Sequence, residues 1–146
     1  MGTFNKIMAL DVGDARIGVA LSDAMGFTAQ PHSTVNREPS DKRAYAELSQ
    51  IVKAEDVKQL VVGLPLELDG TEGEQAKKVR KFVSAWQASD SELGALRVEY
   101  LDERFTTAQA ERVVVESGLK NKDKSAALDR VSAAIILQTY LEQSQV

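Results

Sequence analysis

Residues 7–22 read IMALDVGDARIGVALS, two apolar runs on either side of the turn Gly13-Asp14-Ala15. Apolar runs of this length favour buried β-strands, and a tight turn between two of them is typical of a hairpin. We therefore expect one strand over residues 5–12 and another over Arg16–Ser22. Asp11 ends the apolar run of the first strand, so this strand delivers a carboxylate to one end of the predicted sheet.

Helices and strands alternate after the hairpin. The predicted further strands cover residues 30–36, where Pro31 limits the strand to an edge or a break, residues 59–63 and residues 96–101. The predicted helices are one capped by Ser40, one opened by a capping box of Thr71 and Glu74, one opened by Thr106 and Gln109 and ended by Gly118, and one over residues 126–143. A lysine-bearing loop over residues 119–125 is expected before the last helix.

This order of elements implies a mixed sheet of five strands with helices on both faces. The fold class is α/β, and the arrangement resembles ribonuclease H. At 146 residues the chain fits a single domain, residues 1–146, with one hydrophobic core. In open sheets of this kind, ligands gather beyond the carboxyl ends of the parallel strands.

Composition excludes several classes of protein and site. The chain is 43% apolar and 27% charged, as expected of a globular protein, and it has no long apolar stretch or secretory leader pattern. We expect a cytoplasmic protein without a membrane partner. The absence of cysteine excludes disulfides and thiolate zinc sites. Because the formal net charge is −4, nucleic-acid binding would depend on local basic clusters.

Asp11, Glu103 and Asp129 are the candidate catalytic and metal-binding residues. Asp11 and Glu103 follow predicted strands, and Asp129 lies near the start of the predicted last helix. Three oxygen donors from distant parts of a chain suit Mg²⁺ or Mn²⁺ and do not suit zinc. Because His32 is the single histidine, we expect a metal ion, and not an imidazole general base, to activate the attacking water.

Helical periodicity predicts that Asp129 faces inward. The positions that share its face are Ala133, Ile136 and Tyr140, which form a largely apolar stripe. A buried carboxylate is costly unless it is paired or bound to a cation. The chemistry that suits such a site is phosphodiester hydrolysis with two ions about 4 Å apart, which Asp11 would bridge.

Basic and small residues surround the three acids in the sequence and are the candidate substrate-binding residues. They are Gly13, which leaves space for a phosphate, and Arg16, Arg104, Lys120, Lys122, Lys124 and Arg130. Structural alternatives stay open for each acid. Asp11 could start a turn, Glu103 could be a helix N-terminal charge, and Asp129 could form an ion pair with Arg104.

Four segments of the chain occur in a characteristic order. They are residues 9–13 (ALDVG) with 16–20 (RIGVA), 62–65 (VGLP) with 69–71 (DGT), 102–107 (DERFTT) and 129–141 (DRVSAAIILQTYL). Together they resemble the YqgF/RuvX family, which comprises pre-16S ribosomal RNA nucleases and Holliday junction resolvase-like proteins. The resemblance implies a ribonuclease H-like fold and a magnesium- or manganese-dependent nuclease with the same three acids. It also implies that residues 63–71 border the site and that Arg16 and Arg104 help to hold it.

The substrate and the oligomeric state stay open at this point. The resemblance implies either 5′-end processing of the small-subunit ribosomal RNA precursor or resolution of branched DNA, and the second activity requires a homodimer. Two other hypotheses are an ATP-binding module of the actin-like type and a noncatalytic ribosome-assembly protein that binds RNA. A single copy of the fold argues against the first, and an intact set of acids argues against the second.

Overall fold

The core of the molecule is a five-stranded sheet with the strand order β3-β2-β1-β4-β5. The structure is a computed structural model that describes residues 5–104 and 121–144, with the backbone alone described for residues 121–126. The strands are β1 (Lys6–Val12), β2 (Arg16–Ser22), β3 (Ala29–Asn36), β4 (Val57–Leu64) and β5 (Arg97–Asp102). The helices are α1 (Asp41–Ala54), α2 (Glu74–Ser89) and α3 (Asn121–Ser144), with a short 3-10 helix at Ser91–Ala95.

The sheet is antiparallel on one side of β1 and parallel on the other. β1 pairs with β2 as the predicted hairpin, with Asp11 opposite Gly18, and β2 pairs with β3 in the same sense. β1 pairs with β4 in parallel, as β4 does with β5. Pro31 lies on the edge strand β3, beside a register shift, where its missing N–H group costs little. The predicted mixed sheet and its element order are confirmed for the described residues.

Two apolar clusters cover the two faces of the sheet. Alternate residues of β1 divide between them, because successive side chains of a strand point to opposite faces. Met8 and Leu10 pack against α1 and α2, in a cluster that includes Leu48, Phe82 and Trp86. On the other face the cluster is formed by Ile7, Ala9, Ala20, Val61, Leu101, Ala133, Ile136, Leu137 and Leu141. The helix that covers this second face is α3.

The ends of the helices differ from the sequence prediction in two places. α2 has Gly73 as its N-cap, without a side-chain cap, so the predicted capping box is wrong. Instead, the backbone N–H and the hydroxyl of Thr71 donate hydrogen bonds to Asp69 Oδ1, at 3.0 and 2.6 Å. α3 begins at Asn121, so the predicted loop over residues 119–125 is helical from that residue onward. The predicted helix opened by Thr106 and Gln109 lies outside the described residues.

The β2–β3 turn lies at the end of the sheet opposite to Asp11. Asp23 closes this turn by accepting hydrogen bonds from the backbone N–H groups of Phe27 and Thr28, at 2.7 and 3.1 Å. Met25 and Phe27 project from it with 50% and 58% of their surface exposed. Among the helices of the described residues, none is long and apolar enough to cross a membrane.

Candidate active site

Asp11 lies on the α3 face of the sheet, at the carboxyl end of β1. It follows Ile7 and Ala9 in the strand alternation, and both of those residues pack in the α3 cluster. The side chain of Ser132, on α3, hydrogen-bonds to the carboxylate of Asp11. Strand β1 and helix α3 therefore meet at this carboxylate.

Glu103 reaches the same face from β5. The residue follows the last residue of the strand, and its backbone N–H donates to the carbonyl of Leu64 at 3.2 Å, which continues the pairing with β4. Its carboxylate lies over Gly63, where a Cβ atom would collide with Glu103 Oε2 and would lie 2.6 Å from Ile136 Cδ1. A glycine in the middle of a strand often marks such a close approach. Gly63 makes the space that Glu103 occupies.

Asp129 is held against β2 by the close approach of α3. Its backbone lies directly over Gly18, since a Cβ atom at Gly18 would collide with the carbonyl oxygen of Asp129. Its carboxylate accepts a hydrogen bond from Arg16 Nε at 2.7 Å, and 21% of its side chain is exposed. Ala133 and Ile136 are fully buried and Tyr140 is partly buried, so the predicted inward stripe is confirmed.

Negative charges repel one another along the series Asp129, Asp11 and Glu103. The pKa of Asp11 is raised to about 6, chiefly by burial and then by the charge of Asp129, while the hydrogen bond from Ser132 acts in the opposite direction. Burial also raises the pKa of Glu103 to about 8, with smaller contributions from the charges of Asp11 and then Asp102. Asp11 is therefore the central member of the site, close enough to both other acids to feel their charges.

The three acids do not form a ready-made metal cage. In residues 5–104 and 121–144, no group of three or more His, Cys, Asp or Glu side chains is placed so that it could hold a metal ion as it stands. The raised pKa values of Asp11 and Glu103 indicate that these two carboxyl groups share one poorly solvated region. The structure thus gives the acids a common face and mutual repulsion, while their role as metal ligands stays a prediction.

The candidate basic residues have different surroundings. Arg16 contacts Asp129, as described above. Arg104 donates through Nε to both oxygens of Asp102, at 3.1 and 2.8 Å, and through Nη1 to the carbonyl of Leu68 at 3.2 Å. Arg130 Nη1 donates to Thr34 Oγ1 on β3 at 3.4 Å. The alternative ion pair of Asp129 with Arg104 is therefore wrong, since Asp129 pairs with Arg16 and Arg104 with Asp102.

Arg104 joins the end of β5 to the loop over residues 65–73. This loop is closed by hydrogen bonds from Glu67 N–H to Thr71 O and from Gly70 N–H to Glu67 O, at 2.9 and 2.8 Å. Gly70 has a φ of 88°, a left-handed conformation that glycine adopts without strain. Because Arg104 follows Glu103 directly, its contact with Leu68 holds the loop beside the candidate site.

The remaining candidate residues are Gly13 and the lysines. Gly13 N–H donates to the carbonyl of Arg16 at 2.9 Å, and a Cβ atom at Gly13 would lie 2.9 Å from the same oxygen. The glycine is therefore required by the compact turn, and its proposed contact with phosphate stays a prediction. Lys122 and Lys124 lie on α3 with side chains outside the described part, and Lys120 lies outside the described residues.

Sequence reasoning gave no role to Ser132, and it did not predict that Glu103 would lie over Gly63. Ser132 is 6% exposed and lies three residues after Asp129. It carries a lone hydroxyl within the apolar part of α3. A buried hydroxyl needs a partner, so its position was a usable signal. Gly63 lies within the buried run LVVGL of β4, where a glycine weakens the strand unless something must approach it.

Comparison with known proteins identifies the family of the chain. The family model RuvX, described as Holliday junction resolvase, matches residues 5–143. A protein of Lachnospira eligens named "Putative pre-16S rRNA nuclease" is 39% identical over 142 residues, which cover 96% of this chain and 99% of that protein. A protein of Clostridioides difficile with the same name is 43% identical over 137 residues and 94% of each chain.

Among solved structures, RuvC of Thermus thermophilus in complex with a Holliday junction substrate superposes with a TM-score of 0.60 and 18% identity. The match covers 97% of this chain and 98% of that one. At this identity the likeness concerns the fold, and it confirms the predicted ribonuclease H-like α/β architecture. The sequence match over residues 5–143 is decisive for the family: the chain belongs to the RuvX family of nucleases.

Proposed function

We propose that this chain is a divalent-metal-dependent nuclease that hydrolyses phosphodiester bonds of structured nucleic acid during 5′-end processing of pre-16S ribosomal RNA. One observation carries the proposal: carboxylates from β1, the end of β5 and α3 lie on one face of the sheet, with Asp11 repelled by both of the others. The names of the curated relatives support the substrate. Such a substrate implies a cytoplasmic protein, and residues 1–146 would act as a single nuclease domain.

The donor set fits a hard divalent cation. Asp11, Glu103 and Asp129 offer oxygen ligands, and two of the three have pKa values raised by burial and by neighbouring negative charge. A cation relieves both unfavourable effects. We propose that these residues hold Mg²⁺ or Mn²⁺, two ions per site, which when bound would supply activation of water and stabilisation of the charge on the phosphate.

The residues around the acids would orient them. The hydroxyl of Ser132 lowers the pKa of Asp11 by hydrogen bonding to its carboxylate and would help to orient it. Arg16 holds Asp129 from β2, at 2.7 Å. Arg16, Arg130 and the lysines of residues 120–124 would bind the phosphates of the substrate, since guanidinium and ammonium groups favour polyanions.

Four-way-junction DNA is the second candidate substrate, because the family that matches residues 5–143 is described as Holliday junction resolvase. Paired cuts across a junction require two active sites, so this activity would need a homodimer. End-labelled precursor RNA and a synthetic junction, incubated side by side with Mg²⁺ and Mn²⁺, distinguish the two. Selective shortening of the RNA supports rRNA maturation, and symmetric nicks in the junction support resolution.

Replacement of the central acid tests the mechanism. We expect Asp11→Asn to reduce the cleavage rate by at least about 100-fold, because loss of a metal ligand costs more than loss of a residue that merely orients one. Asp56→Asn is the matched control, since Asp56 lies between α1 and β4 with 83% of its side chain exposed and a φ of 51° that asparagine tolerates. Undiminished cleavage by a folded Asp11→Asn protein would refute the proposal.

A further inference from the structure

Arg37 hydrogen-bonds to the β1–β2 turn, residues 13–15, and lies on the face of the sheet that α1 and α2 cover. Its backbone N–H donates to the carbonyl of Ala15 at 2.9 Å. Its Nη1 atom donates to the carbonyl of Gly13 at 2.6 Å. These two hydrogen bonds hold the turn on both sides of Asp14, so a single residue restrains the whole connection between β1 and β2.

The rest of the Arg37 guanidinium is fixed by both helices. Nε and Nη2 donate to the two carboxylate oxygens of Asp41, in the first turn of α1, at 2.9 and 3.2 Å. The guanidinium carbon lies 4.7 Å from the ring centroid of Phe82, on α2. A planar fork that meets a carboxylate with two hydrogen bonds and stacks on an aromatic ring is held in one orientation. Arg37 therefore connects the turn to both α1 and α2, so the position of the turn depends on these two helices.

The turn that Arg37 holds joins two residues of the candidate site. Asp11 lies two residues before Gly13, and Arg16, which bonds to Asp129, follows Ala15 directly. A shift of the turn would displace the central carboxylate and the partner of a second carboxylate together. Displacements of about 1 Å at a catalytic group can cost roughly 100-fold in rate.

We propose that Arg37 is a positioning residue of the active site, which sets Asp11 and Arg16 through the β1–β2 turn without touching the substrate. The inference rests on the proposed nuclease function. It gives a role to a residue on the face of the sheet opposite to α3. It also separates Arg37 from an ordinary stabilising residue, whose loss would lower the stability of the fold without changing turnover.

Replacement of Arg37 distinguishes these two roles. We expect Arg37→Gln to lower kcat by about 10- to 100-fold and to raise KM by less than about fivefold, because the reacting groups lose their geometry while Arg16, displaced with the turn, is one of several residues proposed to bind phosphate. Arg37→Lys should recover part of kcat, since one ammonium donor reaches a carbonyl but does not form the fork. Arg43→Gln is the matched control. Arg43 lies on α1, with 70% of its side chain exposed and Glu47 at 3.8 Å, and its loss should leave kcat unchanged.

Hydrogen exchange at Gly13 gives a readout that does not depend on activity. The N–H of Gly13 closes the turn by donating to Arg16 O, so its exchange reports the opening of the turn. In Arg37→Gln we expect its exchange to accelerate by about 10-fold or more while the amides of Ala9 and Leu10 keep their rates. Mn²⁺ affinity, measured by calorimetry without substrate, should fall in the same variant.

Unchanged kcat in a folded Arg37→Gln protein, or unchanged Gly13 exchange, would overturn the inference. If that variant does not fold, Asp41→Asn serves in its place, because it removes the carboxylate that Arg37 binds with two hydrogen bonds and keeps Arg37 itself. An unchanged kcat in Asp41→Asn would then count against the inference. If the unsubstituted protein cleaves no nucleic acid, the proposed function fails. Gly13 exchange and Mn²⁺ affinity still decide the role of Arg37 in that case.

Discussion

Two carboxyl groups of this protein bind protons more tightly than ordinary carboxylates do. The pKa of Asp11 is raised to about 6 and that of Glu103 to about 8, in both cases chiefly by burial and then by neighbouring negative charge. Near neutral pH and without a cation, Glu103 is mostly protonated and Asp11 is mostly ionised. The site thus reduces its own repulsion by keeping a proton on one member.

Glutamine at position 103 should therefore stabilise the protein at alkaline pH. Glu103→Gln removes a charge that is costly to bury above about pH 8, so we expect the Tm in EDTA at about pH 9 to rise by about 3 °C or more. At about pH 5, where Glu103 is already neutral, the Tm should be unchanged. Thermal unfolding of both proteins at both pH values measures this.

Glu92→Gln provides the control for that measurement, because 71% of the Glu92 side chain is exposed and no such pH-dependent gain is expected. An equal change in Tm at the two pH values would contradict the assigned burial of Glu103. Glu103→Gln should also lose nuclease activity. This substitution therefore separates the contribution of the Glu103 carboxylate to stability from its contribution to catalysis.

At the level of elements, the packing of α3 on β2 fixes the third acid. Gly18 lies opposite Asp11 in the hairpin and directly beneath the backbone of Asp129. The helix is also tied to β4, since Gln59 Nε2 donates to Tyr140 Oη at 2.7 Å. The close approach of α3 to β2 therefore depends on the absence of a side chain at Gly18.

A methyl group at that position should displace the helix. Because a Cβ atom at Gly18 would collide with the carbonyl of Asp129, we expect Gly18→Ala to lower the free energy of unfolding by roughly 1–3 kcal/mol and to reduce cleavage. Gly94→Ala is the matched control, since a Cβ atom at Gly94 meets no atom within 4 Å. Denaturant unfolding and a cleavage assay measure the two effects, and full activity of Gly18→Ala would contradict this account of the interface.

The elements differ in how well the sequence predicted them. Buried strands such as β1 and β2 were predictable because their apolar runs end at polar turns. The start of α2 was not, since Thr71 bonds to Asp69 within its own loop and leaves Gly73 as the cap. The start of α3 was also mistaken, because a polar first turn has the composition of a loop.

The three acids were recognisable because each interrupts or follows an apolar segment, and the nuclease class that they indicated is confirmed by the family. The contacts among them were not predictable. Which arginine pairs with Asp129 depends on the distance between α3 and β2, which a sequence does not state. Arg37 escaped notice for the same reason, because its partners come from the turn, α1 and α2.

Across the whole molecule, the raised pKa values make the stability of the fold depend on pH. Between about pH 5 and pH 8 Asp11 and Glu103 bind more protons in the folded protein than in the unfolded chain, because their ordinary pKa values lie near 4. The free energy of unfolding therefore falls as pH rises through this range. Acids with lowered pKa values, such as Asp23 and Asp102, have the opposite effect only in more acidic solution.

Divalent cations should remove this dependence. We expect the Tm in EDTA to fall steadily from about pH 5.5 to pH 8.5, and to vary much less with Mg²⁺ or Mn²⁺ present. Binding of Mn²⁺ near pH 7 should release roughly one proton, mainly from Glu103, measurable by calorimetry in buffers of different ionisation enthalpy. Release of no proton would show that Glu103 is not a ligand.

The antiparallel pairing of β1, β2 and β3 places the β2–β3 turn and the acids at opposite ends of the sheet, and this separation has a practical use. The chain contains no cysteine, so Met25→Cys would introduce a single thiol on the exposed surface of that turn. A fluorophore attached there would report the tumbling of the protein on a long nucleic acid without crowding the carboxylates. Binding and cutting could then be followed on the same labelled molecule.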